Sequence, residues 1–500
     1  MANPLEQRVH KLNGILVAAR ALNSERDLER LLPLIVNTAR KVVDADRCSL
    51  FLLDKERGEL WSKVAQGVGV KEIRIPISTG IAGAVATSAL PVNIPDAYLD
   101  DRFNPEVDKR TGYRTRSILC VPMISQSEEV VGVLQALNKI DDAPFTPDDE
   151  DLLTALGGQA AAAVNNALLH HEIEQLFEGF VRASVVAIES RDPTTAGHSG
   201  RVASLSVGLS DMLPRADASA GRWKGHAVST QERQELRYAA LLHDFGKVGV
   251  RENVLVKANK LEPQELEALQ SRFDTILLEA ELQAARRKIE LVVQRPHDVA
   301  GVLAEVDAAL AARLRELTEG FEFILQCNKP TLLAEGSFER LGVLAQESYP
   351  SLYTGQARPF LTENEVLKLS VRKGSLTESE RKEIESHVTH TFRFLSQIPW
   401  TRSLKHVPEI AYGHHEKLTG RGYPRALPER DIALPTRMMT ISDIYDALTA
   451  SDRPYKKAVP KQKAYDILND EAKRGDVDAD LLKVFIEADV PSWSEQHPEG

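Results

Sequence analysis

The chain of 500 residues contains only three cysteines, Cys48, Cys120 and Cys327, and no two of them stand at a paired spacing. This scarcity excludes a disulfide framework and is typical of proteins of the reducing cytosol. The sequence also lacks a basic and then apolar leader, and it lacks an apolar run close to the roughly 20 residues that span a bilayer. We therefore expect a cytoplasmic protein that has no membrane partner.

Positive charge is outnumbered by negative charge. Lysine and arginine total 62 against 73 aspartates and glutamates, which gives a formal net charge of −11. A protein that binds DNA broadly needs a basic face that neutralises phosphates, so we expect no DNA partner. An anionic substrate would have to meet local cations or a metal.

The length and the hydrophobic content of 43% are enough for two to four domains with cores of their own. Short apolar or β-branched runs at 49–53, 118–122 and 130–134 predict an α+β domain with an antiparallel sheet, and the sequence after about 180 favours helix. The predicted segments are an N-terminal helix (1–25), a first domain (26–165), a connecting helix (166–185), a helical domain (186–475) and a C-terminal tail (476–500).

Residues 260–265 are echoed by residues 374–380, and charged, helix-rich sequence lies between the two copies. This pattern predicts a helical insertion at about 265–370. The insertion could cover an active site or contact a protein partner. It could equally be a tolerated surface insertion.

Histidines and aspartates in the second half predict a metal site. His243 and Asp244 end an apolar helical stretch with Lys247 one turn later, and His414-His415 follow far downstream. Converging imidazoles and carboxylates with open coordination positions suit metal-dependent hydrolysis. Each residue alone could be an ordinary buried or surface side chain, and His390 is as well placed as His387. The candidate ligands are His198, His243, Asp244, His387, His414, His415 and Asp443.

The order of these segments is specific. Residues 197–202, 243–249, 414–424 and 442–448 together closely resemble the HD-GYP family of phosphodiesterases, over about 180–260 and 370–475. The resemblance implies an all-α HD-type fold and a centre of two or three metals, often iron or manganese. It also implies hydrolysis of cyclic di-GMP to the linear dinucleotide pGpG and sometimes to GMP. Thr194 stands where members with a third metal carry glutamate, which favours two divalent ions.

The resemblance assigns roles by position. The seven candidate ligands would bind metal, with Asp244 bridging the ions, and His243, Asp244 and Lys247 would form the catalytic group. Lys247 would also hold a substrate phosphate oxygen. The other substrate-binding residues would be Gly422, Tyr423, Pro424 and Arg453. Asp443 and Asp446 share a helix face, so either of them could instead pair with Arg453.

The first domain has a second signature. Residues 77–83, 93–98 and 115–122 look like the GAF domains that bind cyclic nucleotides, over about 25–165. This resemblance implies a buried pocket for cAMP or cGMP, with cAMP weakly favoured, lined by Ser49, Ile81, Ala82, Asp108, Thr111, Thr115 and Gln135. Five further motif residues are expected to stabilise the fold rather than touch the ligand: Asn138, Lys139, Phe145, Asp149 and Glu150.

Together these patterns predict a metal-dependent cyclic di-GMP phosphodiesterase whose GAF domain binds a regulatory cyclic mononucleotide. Long connecting helices commonly pair with their copies, so we also expect a homodimer. Two alternatives stay open. The substrate could be another cyclic dinucleotide such as cyclic GMP-AMP, or the chain could be a catalytically weak, nucleotide-responsive interaction protein.

Overall fold

The computed structural model describes residues 17, 19–62, 73–140, 142–191, 196–216, 221–351, 353–451 and 458–497. The chain divides into two compact units, residues 1–179 and residues 180–500. Most of the predicted N-terminal helix lies outside the described residues, and residues 19–24 are helical.

The first unit is built on a six-stranded antiparallel sheet with strand order β3-β2-β1-β6-β5-β4. The three runs predicted as strands all lie within it, which confirms the α+β architecture. The strands are β1 Ala45–Asp54, β2 Glu59–Ser62, β3 Ile73–Pro76, β4 Val92–Ile94, β5 Ile118–Ile124 and β6 Val130–Lys139.

Both faces of this sheet are covered, because successive strand residues point to opposite sides. On one face, Leu50 and Leu134 pack with residues of helix α1, Leu28–Val42, and with the first turns of a long later helix. On the other face, Phe51 and Cys120 pack against helix α2, Gly80–Ser88. A short helix, α3, spans Glu106–Thr111.

Helix α4, Pro147–Arg191, is longer than the connecting helix predicted at 166–185. Its first turns are part of the sheet's core, where Leu153, Leu156, Ala160 and Val164 are fully buried. Its residues from Phe180 onward belong to the second unit. Among the described residues, α4 is the one helix whose length and composition would allow it to cross a bilayer, and half of the apolar window concerned is buried.

The second unit is helical, as predicted. Its helices outside the insertion are α5 His198–Met212, α6 Thr230–Leu242, α7 Glu252–Leu255, α12 Glu378–Glu385, α13 His387–Leu395, α14 Val407–Tyr412, α15 Leu434–Thr449, α16 Lys461–Lys473, α17 Ala479–Glu487 and α18 Val490–Gln496.

The predicted insertion forms a subdomain with its own core, in which Phe273, Ile324 and Phe360 meet. It also contains a small two-stranded sheet, which the prediction of nearly continuous helix missed. Its elements are α8 Pro263–Gln294, α9 Val299–Asn328, α10 Ser337–Gln346, β7 Ser348–Pro350, β8 Ala357–Pro359 and α11 Glu363–Leu369. At its base, the buried Lys260 Nζ donates to the Leu369 carbonyl at 3.0 Å.

The prediction of a separate tail at 476–500 was wrong. Leu481 and Phe485 of α17 are fully buried, and α17 and α18 both pack on α5. Gly208 of α5 lies so close to Trp493 of α18 that an added Cβ would come within 2.5 Å of the indole ring. The two C-terminal helices therefore complete the helical domain, because their apolar faces need α5 to cover them.

Candidate functional site

His243 and Asp244 lie at a break between helices. We predicted that they were neighbours on one helix, whereas α6 ends at His243 and a 3-10 turn, Phe245–Gly249, begins after Asp244. At such a break the two side chains need not diverge as they would on a continuous helix. His243 Nε2 lies 3.5 Å from Asp244 Oδ2.

His387 lies at the start of a helix, not inside one. The capping box of Thr377 and Glu380 begins α12, but α12 ends at Glu385 and α13 starts at His387. His390, one turn later, lies against Gly249 instead. The structure thus selects His387 from the two candidates.

All seven predicted ligands come together in one cluster. His414 and His415 follow the end of α14, and Asp443 lies on α15. The ligand atoms form three overlapping groups whose members lie within 4.8 Å of one another. These groups are His387, His414 and His415; His198, His243 and Asp244; and His243, His414 and Asp443.

Three histidines present unpaired nitrogens to this cluster. In His243, His387 and His414, Nδ1 lies 2.5–2.7 Å from the carbonyl oxygen three residues earlier, which fixes the proton on that nitrogen. Their Nε2 atoms are buried and have no hydrogen-bond partner in the described part of the chain. A buried polar atom without a partner costs about 1–3 kcal/mol. Bound metal would satisfy all three, so these residues fit a metal centre.

The Asp244 carboxylate lies between two groups of histidines. Oδ2 is 3.5 Å from His243 Nε2 and 3.7 Å from His198 Nε2, whereas Oδ1 is 3.3 Å from His387 Nε2. Lys247 Nζ is 2.7 Å from Oδ2. Burial alone would raise the pKa of Asp244, but Lys247 and the histidines hold it well below its usual value. The charged carboxylate, with its oxygens facing different imidazoles, suits the predicted bridging role.

Burial keeps most of these imidazoles neutral. It lowers the pKa of His243 and of His414, and it lowers the pKa of His415 to about 4. His198 is different, because the carboxylates of Asp443 and Asp446 outweigh burial and raise its pKa to about 9. Metal binding requires neutral imidazole, so a cation that takes His198 as a ligand must displace its proton.

Asp446 contacts the cluster, although the sequence analysis assigns it no role there. Its Oδ2 lies 2.7 Å from His198 Nδ1, and Arg201 donates from Nε to its Oδ1 at 2.6 Å. We had considered a pairing with Arg453, which lies outside the described residues. The spacing of Asp443 and Asp446 on one helix face was the signal that could have linked both to His198.

Asparagine at position 446 is expected to weaken metal binding without abolishing it. Asp446→Asn removes the charge that orients His198, and outer-shell changes of this kind cost about 10–100-fold in metal affinity or activity. Metal content after dialysis against graded chelator would measure the loss. Asp211→Asn is the matched control, because Asp211, which lies on α5, also pairs with an arginine, Arg233, but outside the cluster. Equal metal retention in both variants would contradict the role of Asp446.

The residues predicted on the substrate side form a loop beside the histidines. The Tyr423 ring lies 4.7 Å from that of His415 and is followed by Pro424. Gly422 is tightly packed, since an added Cβ would meet the Lys417 nitrogen at 2.3 Å. Glu416, which we had not assigned, accepts hydrogen bonds from the backbone nitrogens of two later residues at 2.7 and 2.9 Å and so fixes the loop.

Four of the residues predicted to line the nucleotide pocket lie on the α2 face of the sheet or in α2 itself. Ser49 and Gln135 are opposite each other on β1 and β6, and Ile81 and Ala82 are buried in α2. The side chain of Thr111 lies outside the described residues.

Asp108 and Thr115 bond to each other. Asp108 accepts from the Thr115 hydroxyl at 2.8 Å, from the Thr115 backbone nitrogen at 2.6 Å and from the Tyr98 hydroxyl at 3.1 Å. This arrangement satisfies the carboxylate within the protein. Asp108 therefore positions the loop that carries Thr115, and Tyr98 is a member of the group that the sequence reading missed.

The five GAF motif residues bond within the domain. Asn138 accepts from two backbone nitrogens, those of Arg116 and Ser117, and the half-buried Lys139 forms an ion pair with the buried Asp149. Phe145 is buried in the core, and Glu150 accepts a long hydrogen bond from the Asn93 side chain. These contacts are those of residues that stabilise the fold.

Comparison with known proteins defines the class of both units. A GAF domain model matches residues 27–164, and an HD domain model matches residues 363–481. The chain therefore has a GAF domain followed by an HD domain. The HD match includes His387, His414, His415 and Asp443.

Named relatives share a stretch of the chain. This chain is 39% identical over 153 residues to "Probable 3',5'-cyclic phosphodiesterase pde-5" of Caenorhabditis elegans, and the match covers 28% of this chain and 21% of the relative. It is 39% identical over 160 residues to "Dual 3',5'-cyclic-AMP and -GMP phosphodiesterase 11A" of Takifugu rubripes, covering 30% and 18%. The chain thus spans about a fifth of the length of these curated relatives.

Among solved structures, the GAF domain of a phosphoenolpyruvate-protein phosphotransferase from Coxiella burnetii is 26% identical. The match covers 33% of this chain and 98% of that domain, with a TM-score of 0.30.

Proposed function

We propose that the chain is a metal-dependent phosphodiesterase that hydrolyses cyclic di-GMP to pGpG and GMP, regulated by cAMP or cGMP bound to its GAF domain. The observation that carries the proposal is the set of three buried, unpaired histidine Nε2 atoms beside the carboxylates of Asp244 and Asp443. Such a donor set is costly to leave empty and is suited to borderline metals such as iron and manganese.

The seven clustered residues would hold two divalent cations, with Asp244 between them. Bound there, the cations would supply Lewis acidity and lower the pKa of water. The rest of the chemistry falls to the chain's own groups, of which Lys247 and Tyr423 adjoin the cluster.

Lys247 is the group that would bind a phosphate oxygen. Its side chain is 17% exposed and its Nζ lies against Asp244, so the ammonium sits at the edge of the cluster. There it would stabilise the charge that develops on phosphorus oxygens as water attacks. Burial raises the pKa of the Tyr423 hydroxyl, which keeps it protonated as a hydrogen-bond donor on the substrate side.

The GAF domain supports the regulatory half of the proposal. The name of the Takifugu rubripes relative carries cyclic AMP and cyclic GMP, and the stretches of 153 and 160 residues that the two relatives share with this chain are close in length to the GAF match. A bound nucleotide can shift the equilibrium between two states of the enzyme only by the ratio of its affinities for those states. This ratio sets the upper limit of its effect on turnover.

The test is hydrolysis by purified protein loaded with manganese or iron, with cyclic di-GMP, cyclic GMP-AMP, cAMP and cGMP as separate substrates. Each dinucleotide is assayed with and without the mononucleotides as effectors. We expect cyclic di-GMP to be cleaved and its turnover to change with one mononucleotide. Chelator-treated protein is the matched control and should be inactive.

Other outcomes would redirect the assignment. Cleavage of cyclic GMP-AMP alone would keep the enzyme and change its substrate, and cleavage of cAMP or cGMP alone would move the substrate to the class named in the relatives. Bound metal with no turnover of any of the four would favour a nucleotide-responsive interaction protein.

A further inference from the structure

The insertion exposes an apolar surface on α8. Leu278, Leu282 and Ile289 are 60%, 36% and 68% exposed, and with the exposed Ala285 they recur at spacings of four and three residues. We call these four residues the α8 stripe. A different face of α8 packs into the subdomain through residues such as Phe273. A stripe with this spacing is the seam that helices use to pair with other helices.

The α8 stripe is symmetric when its direction is reversed. A 180° rotation about an axis perpendicular to the helix, passing between residues 283 and 284, exchanges Leu278 with Ile289 and Leu282 with Ala285. Two copies of α8 packed antiparallel would therefore place each large side chain opposite an apolar one. The small Ala285 opposite Leu282 would allow close approach of the two helices.

The charges beside the stripe have the same symmetry. Every seventh residue along one flank is charged, in the order Asp274, Glu281, Lys288 and Arg295. In an antiparallel pair, the flanking positions of one helix meet their counterparts on the other. Asp274 would then face Arg295 of the second copy, and Glu281 would face its Lys288, so all four contacts join opposite charges.

The two cations can accept these additional partners. Lys288 contacts Asp307 at 2.6 Å and Arg295 contacts Glu305 at 2.7 Å, both on α9. An ammonium has three donors and a guanidinium has five, so neither is saturated by one carboxylate. The interface would be isologous, with the same surface contributed by both chains.

We propose that the α8 stripe is a self-association surface on which α8 of a second copy of this chain packs antiparallel. A helix from an unrelated protein could cover the apolar residues, but its charges would not be expected to complement the two acidic and two basic residues of the flank. The reversal of both patterns about nearly the same point favours a second copy.

Cross-linking of the full chain tests this arrangement, since the native cysteines are all buried. Ala285→Cys places a thiol at the centre of the stripe, and Ala308→Cys places one on an exposed position of α9. With a short bismaleimide, we expect a covalent dimer from the first variant and monomer from the second. Adding Ile289→Glu to Ala285→Cys should lower the dimer yield at least about tenfold, because it buries a charge in the seam.

Two further variants distinguish the proposed helix pairing from nonspecific apolar association and from misfolding of the variants. Glu281→Lys should also reduce cross-linking, because it faces Lys288 of the second copy. Val343→Glu changes an equally exposed apolar residue on α10 and should leave it unchanged. A monomeric chain, equal cross-linking at both cysteines, or a dimer insensitive to Ile289→Glu would overturn the proposal. Binding of a foreign amphipathic helix to a monomer would assign the stripe to another protein instead.

Discussion

Asparagine in place of Asp244 is expected to abolish turnover of the cyclic dinucleotide, with a fall of at least about a thousandfold. The substitution keeps the side chain's size but removes the charge that lies among His198, His243 and His387. Without that charge, the neighbouring imidazoles would hold two cations poorly. Metal analysis and initial rates on the same preparation would show both losses together.

The same variant should leave nucleotide binding to the GAF domain unchanged, because that domain has its own core in the first unit. Asp446→Asn provides the graded comparison, since it alters the orientation of one ligand and keeps all seven. Full activity in Asp244→Asn would show that the carboxylate does not hold the metals, whereas loss of nucleotide binding along with turnover would show that the variant is misfolded.

Alanine in place of Gly246 is expected to destabilise the helical domain by at least about 2 kcal/mol and to reduce its metal content. A Cβ there would lie 1.9 Å from the His387 carbonyl oxygen and 2.5 Å from the Thr391 nitrogen, so the backbones must move apart. The hydroxyl of Thr391 now donates to the His243 carbonyl and accepts from the Gly246 nitrogen, both at 2.8 Å. Separating these segments would pull His387 away from Asp244.

Gly200→Ala is the matched control for this steric argument. Gly200 lies in helix α5, and an added Cβ would meet nothing within 4 Å. Alanine there is expected to stabilise the helix by roughly 0.5–1 kcal/mol, since it restricts the unfolded chain. Thermal unfolding of both variants with metal bound would compare them, and equal melting temperatures would contradict the close approach at Gly246.

The clustering of the seven histidines and aspartates could be predicted from sequence because metal chemistry limits the residue types and the order of the motifs is specific. The antiparallel sheet could be predicted because its short apolar or β-branched runs are local signals. In both cases, the information lies in a few adjacent residues.

The ends of helices were less predictable, because tertiary contacts decide them. No local sequence signal ends α6 at His243 or begins α13 at His387. Instead, the hydroxyl of Thr391 on α13 donates to the His243 carbonyl, 148 residues earlier, and so holds the two segments together. The sequence predicts a tail at the C-terminus because the helix that covers the apolar residues there, α5, is distant in sequence. Asp446 was missed for the same reason, since its partners His198 and Arg201 are about 245 residues away.

The contact between Lys260 and Leu369 has a consequence for how the site tolerates variation. These residues mark the two ends of the insertion, and they lie within hydrogen-bond distance although 109 positions separate them. The entropy lost when a loop is closed grows only with the logarithm of its length, by about 0.6 kcal/mol for each doubling. Segments that lengthen, shorten or replace the insertion beyond this contact would therefore change the closure entropy of the chain only slightly, and evolution could vary them without reshaping the histidine cluster.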